Sequence, residues 1–273
     1  MTAETVSPRQ DTATVSYAYG ICRASAPAPP PTVPGDPRGP ALRLVRQGDV
    51  AAVVASVPAR EFESGALEGR LNDLEELAAL ARAHHAVVDA LHARATVLPL
   101  RLATVYHDDA RVAEALRDGA EDFGRLLDWL DGHEELGVKV YTAPQDGEAP
   151  AADPPDPAGP RESPGRAYLR KRQELRRGRR DADRAAGAVA ARLPSAVAGL
   201  ARGRAVHRPQ SGALASGPGE NVANEAYLVD RRALGAFRDA VAGLAEGARG
   251  VRVEVTGPWA PYSFTAPEGT EGP

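Results

Sequence analysis

Three histidines within one predicted helix are the first candidates for metal or acid–base chemistry. They are His84, His85 and His92. His85 and His92 are two helical turns apart on one face, which separates them by about 10.5 Å at 1.5 Å per residue. One metal ion would therefore need a further ligand from another element, and the sequence contains no HExxH pattern. We interpret these histidines as buried against a neighbouring strand or half-exposed, and we expect no metal site.

The other reactive groups also give no indication of a catalytic site. Cys22 lies in an apolar predicted strand, so we interpret it as a small core side chain rather than a nucleophile. Acidic residues form adjacent pairs at Glu75-Glu76, Asp108-Asp109 and Glu134-Glu135. Sequence neighbours point in different directions on a helix or strand, so these pairs are not acid–base dyads. The phosphate-loop, GxGxxG and GxSxG motifs are also missing from the sequence. We therefore expect no enzyme activity and no cofactor.

A basic stretch at residues 166–184 could bind phosphate groups, because it holds nine arginine and lysine residues. Three acidic residues interleave with them, aromatic residues are scarce, and the whole chain carries a net charge of −4. A solvated helix or a docking surface for an acidic partner is the favoured interpretation. A nucleic-acid-binding regulator that uses this helix is the alternative function, although no nucleic-acid partner is expected.

Composition predicts a cytoplasmic protein with two domains. The chain has 273 residues, of which 43% are hydrophobic, enough for two ordinary cores. A single cysteine excludes an internal disulfide and fits a reducing compartment. No apolar run approaches the ~20 residues that span a bilayer. The N-terminus lacks the pattern of a signal peptide, so we expect neither a membrane span nor secretion.

The elements that position these residues are organised around residues 71–105. This stretch predicts an amphipathic helix that begins at a capping-box-like Asn72 and Glu75 and precedes a bend at Pro99. Further elements are predicted around it: strands at 14–22, 41–45 and 50–57, a helix from a cap at Asp108 or Asp109 to about residue 130, and a strand at 135–141. Together they predict an α+β domain over residues 14–142.

A Pro-rich acidic segment at 143–165 is the predicted linker to a second α+β domain at 166–266. The second domain should contain a long charged helix from 166 to 203, which Pro194 should kink or restart, followed by strand, helix and strand. We predict a small, mostly antiparallel sheet covered by helices in each domain. No internal repeat is evident in the residues.

Seven segments in order resemble the gas vesicle protein F/L family. They are residues 17–21, 49–57, 83–88, 97–101, 134–140, 224–229 and 257–264, of which Leu98-Pro99-Leu100-Arg101 and the GPWAPYSF of 257–264 are the most specific. The sequence departs from the usual pattern at Leu102-Ala103, where the family commonly has Phe-Gly, and at Leu136, where Trp is common. The resemblance implies a minor, non-enzymatic vesicle component with two α+β domains, the first ferredoxin-like. It also implies association with the small hydrophobic shell protein and other gas vesicle proteins during assembly.

The matching motifs supply the candidate partner-binding residues. These are Pro99, Arg101, Glu135, Trp259, Tyr262 and Phe264. Their alternative roles are structural, since prolines fix turns and aromatic rings fill the space between sheet and helices. Arg101 and Glu135 have apolar neighbours in sequence, where a charge needs a partner, so an ion pair between the domains is a further hypothesis.

Overall fold

The structure is a computed structural model that describes residues 13–33, 39–62, 65, 69, 72–143, 164–210 and 219–265. The chain forms two compact units, Met1–Gly132 with Trp259–Pro273, and His133–Pro258. Each unit is built on one sheet, which confirms the predicted α+β class. The predicted linker lies almost wholly outside the described residues.

The sheet of the first unit contains five strands. They are β1 (Thr14–Arg23), β2 (Leu42–Gln47), β3 (Val50–Pro58), β4 (Val97–Pro99) and β5 (Val105–Tyr106). The order is β2-β3-β1-β4, with β5 also paired to β1, and every pairing is antiparallel. The central strand β3 is buried on both faces from Val50 to Ala55, so helices must cover both sides of the sheet.

Three helices supply that cover. They are α1 (Leu74–His92), α2 (Asp109–Asp118) and α3 (Ala120–Leu130). Helix α1 is capped by Asp73, whose carboxylate accepts the backbone N–H groups of Glu75 and Glu76, and not by the predicted Asn72. Asp108 caps α2 as predicted. The single helix predicted to reach residue 130 is two helices that meet at Gly119.

The strand predicted at 135–141 exists, but it belongs to the other sheet. This strand, β6 (His133–Thr142), pairs with β8 (Asn221–Asp230) along its length. The first unit therefore ends at Gly132, and residues from Trp259 onward return to it. Both limits differ from the predicted domain ranges of 14–142 and 166–266, because the sequence pattern marks a strand without identifying its partner.

The second sheet has the order β7-β8-β6-β9, where β7 is Ala201–His207 and β9 is Val251–Trp259. Helices α4 (Pro164–Val197) and α5 (Leu234–Ala245) pack on it. Their shared core contains Leu136, Val138 and Val140 of β6, Ala186, Val189, Leu193 and Val197 of α4, and Phe237, Val241 and Leu244 of α5. The prediction of helix as far as residue 203 is wrong, since α4 ends at Val197 with Pro194 in its last turn and β7 follows.

Both sheets have the same strand order. Numbered within each unit, the order is second, third, first, fourth. The second unit follows the full strand–helix–strand–strand–helix–strand sequence of the ferredoxin-like motif. In the first unit α1 forms the corresponding second crossover, while the described part of the first crossover, 24–33 and 39–41, contains no helix. The two units thus share a topology that no repeat in the sequence indicated.

Candidate partner-binding site around His84

A buried histidine holds the turn that follows β4. His84 Nε2 lies 3.1 Å from the carbonyl oxygen of Leu100, and its Nδ1 lies 2.8 Å from the Tyr17 hydroxyl oxygen. A carbonyl oxygen only accepts, so Nε2 carries the proton and Nδ1 accepts from Tyr17. The Tyr17 oxygen in turn accepts the backbone N–H of Ala103 at 3.1 Å. Three hydrogen bonds therefore join β1, α1 and the 100–103 turn.

Burial keeps this histidine neutral. His84 is only 4% exposed. Desolvation is the main cause that lowers the pKa of His84 to about 4, although the hydrogen bond with Leu100 opposes it. Both ring nitrogens are engaged, so the ring has no free position for a metal ion. No group of three or more potential metal ligands occurs within the described residues.

The turn itself displays Arg101. The Arg101 carbonyl accepts both the backbone N–H of Thr104, at 3.2 Å, and its hydroxyl, at 2.7 Å, while the Arg101 side chain is exposed. Ala103 adopts a φ of 63°, the left-handed region that favours glycine. A glycine at this position, as is common in the resembling family, would relieve that backbone. Pro99 is buried beside Gly20, where an added Cβ would lie 2.8 Å from Val97 Cγ2.

The C-terminal aromatic segment packs on the same unit. The Trp259 ring lies 5.5 Å from the His85 ring, and the Tyr262 ring lies 5.7 Å from His85 and 6.5 Å from His84. Phe264 is buried 5.9 Å from the Trp129 ring, centroid to centroid. Trp259 is 41% exposed, so part of its ring is open to a partner.

The predicted site residues therefore fall into three groups. Pro99 and Phe264 are buried and fill the core, Tyr262 is half-buried, and Arg101 and Trp259 are exposed near His84 and His85. Glu135 belongs to the second unit, where it lies on β6, half-buried and opposite Leu228. Its ion pair with Arg101 stays a prediction.

Sequence reasoning missed a buried carboxylate in the second sheet. Glu225 accepts two hydrogen bonds from Arg204, at 2.7 and 2.8 Å, and one from the Tyr227 hydroxyl. Burial alone would raise the pKa of Glu225, but these bonds outweigh it and leave that pKa below its ordinary value. A glutamate in the middle of an apolar strand was the available signal, because such a charge requires a partner.

A second ion pair was also missed. Asp109, considered in the sequence as a helix cap and as one of an adjacent acidic pair, accepts two hydrogen bonds from Arg43, at 2.6 and 2.9 Å, and one from Ser16, at 2.6 Å. The hydrogen bond from Arg43 is the main cause that lowers the pKa of Asp109. Guanidinium groups neutralise both Asp109 and Glu225, so each carboxylate ties elements together and neither is poised to move a proton.

Helices of the described residues are all too short or too polar to cross a membrane.

Comparison with known proteins covers nearly the whole chain. The family model described as "Gas vesicle synthesis protein GvpL/GvpF" matches residues 15–266. The gas vesicle protein L of Streptomyces sp. (strain CB03234) is 48% identical over 222 residues, which cover 81% of this chain and 82% of that protein. The gas vesicle protein F of the same organism is 30% identical over 266 residues, covering 91% and 98%.

Two crystal structures show the same fold. GvpF from Anabaena sp. PCC7120 has a TM-score of 0.62 and 17% identity, covering 95% of this chain and 99% of that one. GvpF from Microcystis aeruginosa has a TM-score of 0.58 and 16% identity, covering 92% and 99%.

Proposed function

The chain belongs to the gas vesicle synthesis protein GvpL/GvpF family, and from that premise we propose that it is a non-enzymatic assembly component. It binds the gas vesicle shell protein and other gas vesicle proteins in the cytoplasm while vesicles form. Family membership supports an accessory role in gas vesicles. The observation that carries the binding proposal is the exposed Arg101 on a turn held by buried hydrogen bonds, together with the partly exposed Trp259.

Both exposed side chains suit a protein interface. Arginine and tryptophan are enriched among residues that dominate binding energy. The turn that carries Arg101 is fixed by Tyr17 and His84, so binding would order little additional backbone. Trp259 lies against His85 and precedes the fully buried Ala260, which restricts its backbone in the same way.

The non-enzymatic part of the proposal is supported by the state of the titratable groups. His84, the histidine with a strongly lowered pKa, uses both ring nitrogens in structural hydrogen bonds. Glu225 and Asp109 are each held by an arginine. Burial accounts for the lowered pKa of His84, and the arginine partners account for the lowered pKa values of Asp109 and Glu225, so these shifts are explained without catalysis.

Binding of the purified full chain to each gas vesicle protein, prepared singly and with the shell protein included, tests the proposal. We expect saturable binding to at least one of them. Arg101→Ala and Trp259→Ala should each weaken it about tenfold or more, as for central interface residues. Arg125→Ala and Leu74→Ala are the matched controls, because they remove an exposed arginine and an exposed apolar side chain elsewhere in the first unit.

Failure of a folded protein to bind any gas vesicle protein would overturn the function. Equal losses of binding affinity in the test and control variants would contradict the proposed binding site but would leave the proposed function standing. Deleting the gene from a complete gas vesicle cluster in a vesicle-forming host should reduce vesicle yield, and normal vesicles would contradict an assembly role.

A further inference from the structure

Helix α4 is half buried and half exposed along its length. Its second half packs on the second sheet through Ala182, Ala186, Val189, Leu193 and Val197. In its first half, residues 165–181, the described side chains are exposed except at Gly178, which is intermediate. This exposed half is about 25 Å long at 1.5 Å per residue.

The buried apolar stripe continues onto the exposed half. Tyr168 and Leu175 are spaced seven residues apart, and the same spacing leads on to Ala182 and Val189. Residues seven apart lie on one face of a helix, as in the seam of a coiled coil. Tyr168 is 64% and Leu175 is 56% exposed, although the next two positions of the stripe are buried. The exposed half therefore presents the first part of a packing seam.

Positive charge borders this seam. At 3.6 residues per turn, Lys171, Arg172 and Arg179 lie within about 60° of Leu175 around the helix axis. Residues 166–184 hold nine basic and three acidic side chains, a net charge of +6. Arg179 has a counter-charge within the chain, since Glu220 lies 3.4 Å away. A purely apolar partner would bury the charges of Lys171 and Arg172 without supplying a counter-charge. A second copy of the same helix would bring two strongly positive surfaces together, and they would repel each other.

Nucleic acid would satisfy the charge but would leave the seam unused. An acidic amphipathic helix satisfies both features at once. Its apolar stripe can pack on Tyr168 and Leu175, while its carboxylates bind Lys171 and Arg172 on either side.

We propose that residues 165–181 of α4 form a docking helix for an acidic amphipathic helix of a partner protein. Tyr168 and Leu175 bury the partner's apolar stripe, and Lys171 and Arg172, on either side of Leu175, bind its flanking carboxylates. This site lies in the second unit and shares no residue with the surface around His84. It stands independently of the proposed vesicle function.

A synthetic helix tests the proposal. The probe is a labelled peptide of about three heptads (~21 residues) with leucine at the seam positions and glutamate beside them. Fluorescence anisotropy with the full chain should show saturable binding. A peptide with the same leucines and lysine in place of glutamate should bind at least about tenfold more weakly, by like-charge repulsion.

A matched pair of substitutions locates the seam. Leu175→Gln should weaken binding of the acidic peptide about tenfold, because an apolar contact is lost. Leu169→Gln is the control, since Leu169 is also 56% exposed but lies about 120° away around the helix. It should change binding less than about twofold. Both variants alter exposed side chains, and circular dichroism checks that α4 stays folded.

Three outcomes would overturn the docking helix. They are no saturable binding of the acidic peptide, equal binding of the lysine peptide, and equal losses in Leu175→Gln and Leu169→Gln. A DNA duplex is run in parallel as the competing ligand. Tight DNA binding that both leucine variants retain, without peptide binding, would overturn the proposal and assign the helix to nucleic acid.

Discussion

Acidification should destabilise the first unit through His84. In the folded protein the pKa of this buried ring is lowered to about 4, whereas the unfolded chain has a histidine pKa of about 6.5. The unfolded state therefore binds more protons between these values, and stability falls as pH decreases through that window. At pH 5 the expected loss is about 2 kcal/mol, and below pH 4 it approaches about 3 kcal/mol. Above about pH 6.5 the contribution is complete.

Urea unfolding followed by tryptophan fluorescence isolates this effect. Both tryptophans, Trp129 and Trp259, belong to the first unit, so their emission reports the unit that contains His84. In the wild type, the urea concentration at the unfolding midpoint should fall as the pH is lowered from 7 to 5. The variant His84→Gln cannot titrate at this position. It should be less stable than the wild type at pH 7, but its urea midpoint should depend less on pH.

The pH window separates His84 from the carboxylates. The pKa values of Asp109 and Glu225 are lowered from about 4, so their ion pairs lose stability only at lower pH. Other histidines are present in both proteins and cancel in the comparison. An equal slope in the wild type and in His84→Gln between pH 5 and 6.5 would refute the assignment.

Three further substitutions test other contacts. Tyr17→Phe removes the hydroxyl between His84 and Ala103 and should lower the free energy of unfolding by about 2 kcal/mol; Tyr19→Phe in the same strand is the control, and an equal cost for both would contradict the network. Ala103→Gly relieves the left-handed backbone and should stabilise the first unit by up to about 1 kcal/mol in the same urea assay, so a destabilised variant would argue against strain there. Glu225→Gln removes the buried carboxylate that accepts hydrogen bonds from Arg204 and from the Tyr227 hydroxyl, and it should lower the free energy of unfolding by about 2 kcal/mol; circular dichroism during urea unfolding measures this, and an unchanged midpoint would show that the pair is dispensable.

Local patterns predicted elements better than they predicted partners. The alternation around residues 135–141 identified β6, but it could not show that this strand pairs with Asn221–Asp230 nearly a hundred residues away. Strand β7 was missed because its sequence, ARGRAVH, continues the alanine- and arginine-rich composition of α4, and those residues favour helix. The cap of α1 was placed one residue early, because Asn72 and Asp73 are both good capping residues.

The candidate site depended on long-range contacts in the same way. His84 was evident as a helical histidine, but its partners Tyr17 and Leu100 lie on other elements. Its role as the support of the Arg101 turn follows from those distances and not from spacing in the sequence. Aromatic residues 259–264 were recognised as a motif, yet only the fold separates the buried Phe264 from the exposed Trp259.

The shared topology of the two units bears on the length of α4. A strand of 10 residues, such as β6 or β8, spans about 33 Å. A helix of about 22 residues covers that distance. Helix α4 has 34 residues, about 12 more than the sheet can cover. In the first unit the described part of the equivalent crossover, 24–33 and 39–41, contains no helix. The excess falls in the exposed half, where Tyr168 and Leu175 extend the seam. Because the fold needs neither this length nor these apolar side chains, binding a partner helix is the role that accounts for both.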